Sequence, residues 1–367
     1  MSTVAPIVIV GGGTSGCIVA RTLAGMTDRE LVLVEPGSLT DDDNPRFMDG
    51  LGEATVVDVA GMPQAVALGG GSAVNGMILS GDEPDWLRGL TSVARAADAG
   101  SVGRALLSAG GRLSRLWWNN GRWNPARAML HVEEEERLRV IRTTAHRIVM
   151  EGSRATGVEC DGETIPASHV VVCAGAVSSP LLMQASGIAA VTGEGLQNHP
   201  TVSYTFDRVD EDRGAFDAVV VMDLVDGDAI GLVIAYERQS ALDPGRGLVT
   251  VSLMNPESRG SVTAAGIDFN LLGTTRDRDA MARLASGTRR VLARMGVHDF
   301  DESGVHPVSH ATSSCAGSVN RSGRVNGTTN VTVADASVLQ GIPHETPAAS
   351  VTIEALRIAR QLGRDLQ

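Results

Sequence analysis

The chain contains no lysine. All 31 of its basic side chains are arginine, set against 43 aspartates and glutamates, which gives a formal charge of -12. An acidic chain speaks against a nucleic-acid partner, because backbone binding needs a basic face. It leaves room for a small anionic ligand held locally by amides and helix ends. Aromatic residues are only 3% of the 367 positions. That scarcity argues against a platform of stacked rings for a sugar, for which Trp117, Trp118 and Trp123 are the one cluster available. The four cysteines, Cys17, Cys160, Cys173 and Cys315, lie far apart and show no metal-knuckle spacing. They read as reduced thiols in a cytoplasmic protein with no metal site. Apolar runs are short, so no transmembrane segment is expected. The opening residues carry no basic stretch before their apolar run, which reads as a first strand rather than a signal peptide.

What the chain has in excess is glycine, 43 residues, much of it in clusters. Residues Ile7–Val10 are apolar and β-branched, and Gly11, Gly12, Gly13 and Gly16 follow at once, before the apolar helix pattern of residues 18–23. A second buried strand at Leu31–Val34 ends in Glu35. This is the strand–turn–helix–strand order of a dinucleotide-binding unit. Gly11 permits the tight turn, Gly13 lets a pyrophosphate approach the backbone, and Gly16 allows close helix–strand packing. Glu35 stands where an acidic side chain takes the ribose hydroxyls of an adenosine, and its charge would repel a 2′-phosphate.

Further along, residues 38–50 read as a polar loop and residues 91–116 as one or two helices. Residues 138–173 read as strands, and 181–186 as a short helix ending at Gly187. From about 201 to 300 the character changes to alternating strands followed by a helix expected over 278–295, and another helix over 350–362 closes the chain. The predicted plan is α/β. A nucleotide-binding Rossmann-like domain occupies mainly 1–200, a sheet-based α+β domain mainly 201–310, and 311–367 return to the first domain with the closing helix.

Several segments resemble the glucose–methanol–choline (GMC) oxidoreductase family, in that family's order. ALGGGSAVNGM at 67–77 is similar to the signature that wraps a flavin, with Gly71 where serine is more usual. GAVSSPLLMQASGI at 175–188 is similar to the second signature, and GEGLQNHP at 193–200 to the segment after it. NPESRGSV at 255–262 and GRVNGTTNVTVADASVL at 323–339 continue the likeness. The resemblance implies an FAD-dependent enzyme that oxidises the CH–OH group of an alcohol by hydride transfer to flavin N5, with histidine as base. It implies that FAD is held by Gly11, Gly13, Thr14, Ser15, Gly16, Glu35, Gly69, Gly70, Ser72, Asn75, Gly76, Met77, Arg147, Ala174, Gly175, Asp335 and Ala336. The partners it implies are an alcohol and an electron acceptor (oxygen, a quinone or another carrier), with a homo-oligomer left open.

For the base, two histidines compete. The family motif runs His, Pro, a small residue, Gly, Thr, Cys. HPV at 306–308 copies its letters, whereas His310 keeps its five-residue spacing to Cys315. The family's second histidine or asparagine corresponds to Thr346, so His344 is the expected partner of His310, with Thr346 as a polar contact. His199 is expected near the cofactor. His131, His146, His169 and His298 read as surface or core residues. The chain is shorter than is usual for the family, with the missing length mainly between Trp86 and Leu130 and in the substrate half. The IPHETPAASVTIEAL ending resembles a branch associated with mycofactocin, a redox cofactor of GC-rich bacteria. A flavin-containing lyase, an NAD-dependent dehydrogenase and a flavin-binding scaffold are the competing readings.

Overall fold

The structure, a computed structural model, describes residues 4–39, 55–80, 85, 92–93, 98–117, 122–130, 136–208, 219–237 and 245–367. Most of the polar loop expected over 38–50 lies outside these residues, as do Trp86, Trp118 and His131.

Five parallel strands form the first sheet, in the spatial order 331–333, 169–172, 7–10, 31–34, 138–141. Apart from His169 its inner strands are apolar, as strands covered on both faces are, with α1 (Thr14–Ala24) on one part of the sheet and the strand Arg154–Cys160 against 169–172. Ile7–Val10 and Leu31–Val34 are buried at every position. The strand order reverses around Ile7–Val10, which pairs with 31–34 on one side and 169–172 on the other. Ligands of doubly wound sheets sit at the carboxyl ends of the strands beside such a switch point. Helix α1 packs on this sheet, and α4 (Gly175–Ala185) and α6 (Ala348–Asp365) share its core. α6 lies against α1, and Gly363 is bare because a Cβ there would strike Met26.

The second sheet is antiparallel, in the order 301–302, 201–207, 246–253, 229–236, 220–226, 112–113. Its side chains alternate with the period of two that a strand imposes. Val220, Val233 and Ala235 point into a core shared with α2 (Ser101–Ser108) and α5 (Thr275–Arg294). Val221, Leu232 and Ile234 point the other way, onto Met77, Ile78, Trp117, Trp123 and Ala349. One face of the substrate-side sheet thus rests on the 67–77 glycine segment and on the first turn of α6.

The elements depart from the sequence expectation at two places. Among the described residues of 91–116, Ser101–Ser108 forms an α-helix; Arg112–Leu113 joins the second sheet by pairing with Val220 and Val221. The unit expected over 201–310 therefore draws α2 and this edge strand from earlier in the chain. α4 begins at Gly175, six residues before the expected start, because its cap comes from Asp335 and not from a neighbour in sequence. Trp117 and Trp123 are buried, with ring centroids 4.8 Å apart. A third short helix, α3 (Pro125–Met129), follows them, capped by Asn124.

Candidate active site

At the carboxyl end of the first strand, Gly11 has φ 99°, and a Cβ there would lie 2.5 Å from the Cys173 carbonyl oxygen. Only glycine fits both conditions. Gly16 likewise touches the Gly11 carbonyl oxygen. Gly13 is different: the nearest atom to a Cβ placed there is Gly70 Cα at 3.8 Å, so its face is open. The amino end of α1 has no side-chain cap and no acidic residue in its first turn. Amides without a side-chain cap, together with a favourable dipole, suit an anion. Thr14 and Ser15 open that helix.

Glu35 closes the other side. Its carboxylate accepts the Gly12 N–H at 2.8 Å and the Gly37 N–H at 2.8 Å. Burial raises its pKa, and the two amides and Arg142 pull it back down. A bare cradle at Gly13 with a fixed carboxylate 22 residues on fits the pyrophosphate and ribose of a dinucleotide.

The second glycine segment lies directly against the first. Gly69 N–H donates to the Gly12 carbonyl at 2.8 Å, and the hydroxyls of Thr14 and Ser72 are 2.7 Å apart. Gly70, with φ 53°, approaches Gly13 so closely that a Cβ would sit 2.8 Å from Gly13 Cα. Asn75 takes the Met77 N–H at 3.1 Å, and Met77 adopts φ 57°. Arg122 donates to the Asn75 carbonyl, and Gly76 lies near the Tyr236 hydroxyl.

Asp335 is the hub of the next layer. Its buried carboxylate accepts four hydrogen bonds: Gly175 N–H at 2.9 Å, Ser179 Oγ at 2.5 Å, Ser337 N–H at 2.8 Å and Ser337 Oγ at 2.6 Å. It joins the start of α4, where Ala174 is the N-cap, to the 335–337 turn. That turn in turn holds the histidine loop: the Ala336 carbonyl accepts Ser313 N–H at 3.0 Å and the Ser337 carbonyl accepts Cys315 N–H at 2.8 Å. Ser313 has φ 72°, a left-handed conformation, at the position where the family motif carries glycine. The loop keeps the glycine backbone shape although the side chain has changed.

His310 stands on this loop, partly exposed, with its pKa lowered to about 4 by burial. Its Nδ1 lies 2.9 Å from Nδ1 of His199, and the two rings meet edge to face with centroids 5.1 Å apart. His199 is fully buried, and its Nε2 lies 3.0 Å from the Pro343 carbonyl oxygen. The residues before it tie the same elements together. Asn198 donates to the Val308 carbonyl at 2.7 Å, and Gln197 Oε1 accepts Ile342 N–H at 2.9 Å.

The partner of His310 is therefore His199, not His344. His344 is exposed and has no hydrogen bond to any described residue. The sequence placed His199 near the cofactor without that pairing, since nothing local links positions 111 residues apart. Thr346 is committed elsewhere: its hydroxyl donates to the Ile78 carbonyl at 2.9 Å and its N–H to Ser80 Oγ at 2.7 Å. His306 is also committed, with Nε2 2.9 Å from Ser203 Oγ and Nδ1 3.1 Å from the Pro307 carbonyl. Arg147 does not join the dinucleotide residues. It is exposed on the strand Ala145–Glu151 and pairs across to Glu159 at 2.6 Å. Cross-strand charge pairing fixes its direction there.

Among the described residues no helix is long and apolar enough to cross a membrane, and no cluster of His, Cys, Asp and Glu could hold a metal. The described cysteines are all free and buried.

Family models described as GMC oxidoreductase match residues 108–201 and 256–355, together just over half of the chain. Two curated relatives, both uncharacterized GMC-type oxidoreductases, are similar to it. One, from Rhodococcus erythropolis, is 27% identical over 269 residues, covering 58% of this chain and 53% of that protein. The other, from Sinorhizobium fredii, is 25% identical over 311 residues, covering 68% of this chain and 62% of that protein. The matches thus take in less than two thirds of either relative. Among solved structures, pyridoxine 4-oxidase from Mesorbium loti is similar with a TM-score of 0.80 and 20% identity, covering 98% of this chain and 99% of that one. An FAD-dependent oxidoreductase from Chaetomium thermophilum gives 0.73 at 16% identity, and a formate oxidase from Aspergillus oryzae 0.75 at 16%; each likeness covers 99% of both chains. At such identities the likeness is one of fold: a Rossmann-like FAD-binding region with a separate α+β substrate domain. By this fold and by the models that match it, the chain belongs to the GMC oxidoreductase family.

Proposed function

We propose that the protein is an FAD-dependent oxidoreductase that oxidises an alcohol to a carbonyl compound, with His310 as the base. The observation that carries this reading is that one imidazole nitrogen of His310 has no hydrogen-bond partner among the described residues, on a loop bonded to the 335–337 turn. Glu35 would hold the adenosine ribose and the amides of α1 the pyrophosphate. The bare segment at Gly69, Gly70 and Gly76, with Met77, would lie along the flavin. When bound, FAD supplies a two-electron hydride acceptor. The chain's own contribution is to take the hydroxyl proton at His310 Nε2, the ring nitrogen that His199 leaves free. A neutral imidazole suits this role, and the lowered pKa of His310 keeps it neutral near pH 7. The amino end of α6, whose N-cap Pro347 provides no side-chain cap, would favour negative charge gathering on the reduced ring.

The likeness of the closing segment to the mycofactocin-associated branch favours a redox carrier over oxygen as electron acceptor. Cytoplasmic placement agrees with four thiols that are free and buried. The test is the visible spectrum of the purified protein, taken anaerobically before and after addition of a panel of alcohols. A flavin spectrum that bleaches supports the reading. A flavin spectrum that no alcohol changes favours the lyase alternative, and no flavin even after adding FAD would sink both.

A further inference from the structure

A base needs its lone pair on the nitrogen that faces the substrate, and a neutral imidazole has only one such nitrogen. The surroundings of His199 decide which one it is. Nε2 of His199 faces the carbonyl of Pro343, which can only accept, so Nε2 carries the hydrogen. The groups that act on His199 are the carbonyls of Pro343 and Met254 and the rings of His310 and His344. Burial and the neighbouring rings hold it neutral. Its Nδ1 is then an acceptor, 2.9 Å from Nδ1 of His310. Two facing nitrogens need one hydrogen between them, and here it belongs to His310.

We propose that His199 is the positioning residue for His310: it fixes the Nδ1–H tautomer and so puts the basic lone pair of His310 on Nε2. The inference rests on the reading of His310 as base. His199 touches His310 alone among the reacting groups. Its hydrogen-bonded edge-to-face contact also holds the ring plane, as the backbone of a turn alone could not. When the substrate O–H bond breaks and an Nε2–H bond forms, His310 becomes an imidazolium. Its Nδ1–H stays on the His199 lone pair, and part of the new charge is shared with the second ring. The proton has no onward path through His199, because its far nitrogen ends on a carbonyl. It leaves His310 only towards the substrate side. The arrangement also accounts for Thr346: its hydroxyl is spent on Ile78, and the second imidazole of the site comes from the segment at 197–200.

The experiment compares His199→Leu, His199→Asn and His199→Gln with the parent protein and with His310→Ala, all loaded with FAD. The readouts are flavin content and the limiting rate of anaerobic flavin reduction by the best alcohol, followed across pH. Asn can offer its amide oxygen near the position of Nδ1. Gln reaches toward Pro343 and offers no acceptor to His310. His199→Leu should keep its flavin and lose about a hundredfold or more in rate, the scale of a misdirected general base. Its rate should also follow a different pH profile. His199→Asn should recover most of the rate, and His199→Gln should stay close to Leu. If Leu reduces as fast as the parent while His310→Ala does not, the proposal is wrong and the functional reading stands. If Leu fails to hold flavin, Asn against Gln decides, and a Gln rate equal to or above that of Asn overturns the proposal. If His310→Ala matches the parent, the functional reading itself has failed.

Discussion

Glu35 and Gly12 are 23 positions apart, and the carboxylate of one takes the backbone N–H of the other at 2.8 Å. The contact pins the end of the second strand to the glycine turn and aims the carboxylate across the cradle at Gly13. Glu35→Gln should weaken FAD binding by about ten- to a hundredfold, because an amide can satisfy only one of the two N–H groups and cannot match a carboxylate toward ribose hydroxyls. Fluorescence titration of the apoprotein with FAD measures this. Unchanged affinity would remove Glu35 from the cofactor site.

Much of this end of the molecule was legible because its information is local. Gly11, Gly13, Gly16 and Glu35 fall within one strand–helix–strand unit, and their spacing carries the geometry. The spacing from His310 to Cys315 pointed to His310 over the better letter match at His306, and it is the His310 ring that meets His199. What stayed hidden depends on contacts between distant segments. The start of α4 is capped by Asp335, 160 positions later, so no signal before Gly175 could show it. The pairing of His199 with His310 needs the 197–200 segment to be bonded to Val308 and Ile342, which no periodicity reports. Arg147 was misplaced for the same reason: its direction is set by Glu159 on the neighbouring strand.

Asp335→Asn should cost stability more than any exposed substitution. The carboxylate accepts four donors in a buried place, and an amide would turn its own N–H groups toward two of them. The expected loss is about 2–4 kcal/mol. Chemical denaturation of the apoprotein reads it directly, and a loss below 1 kcal/mol, roughly the worth of one ordinary bond, would contradict the hub.

Acid should destabilise the fold in a defined window. His310 and His169 both have pKa values lowered to about 4, by burial and, for His169, also by Arg324, Arg29 and Arg154. In the unfolded chain both would titrate near 6.5, so below that pH the unfolded state binds protons that the folded state refuses. Their contribution is complete above about pH 6.5, falls as pH drops toward 4, and is spent below it, each at most about 3 kcal/mol. Thermal melting against pH tests this, and replacing His310 with Asn should flatten part of the slope. A melting temperature level from pH 7 to pH 4.5 would show that neither ring is held neutral.

Thr346→Val separates a structural clasp from a catalytic contact. It removes the hydroxyl bond to Ile78 and one bond from Ser80, at a cost of about 1 kcal/mol. Anaerobic flavin reduction should keep its rate, since the hydroxyl is turned to the backbone of the glycine-segment strand. A large fall in rate with the melting temperature unchanged would return Thr346 to the reacting groups.

The account stands most directly on His310. The measurement is anaerobic flavin reduction by the best alcohol in the FAD-loaded His310→Ala protein, against the parent. It should retain its flavin spectrum, because the one side-chain hydrogen bond of His310 among the described residues goes to His199, and reduce about a hundredfold or more slowly. A rate equal to that of the parent would contradict the claim that this imidazole takes the substrate's proton.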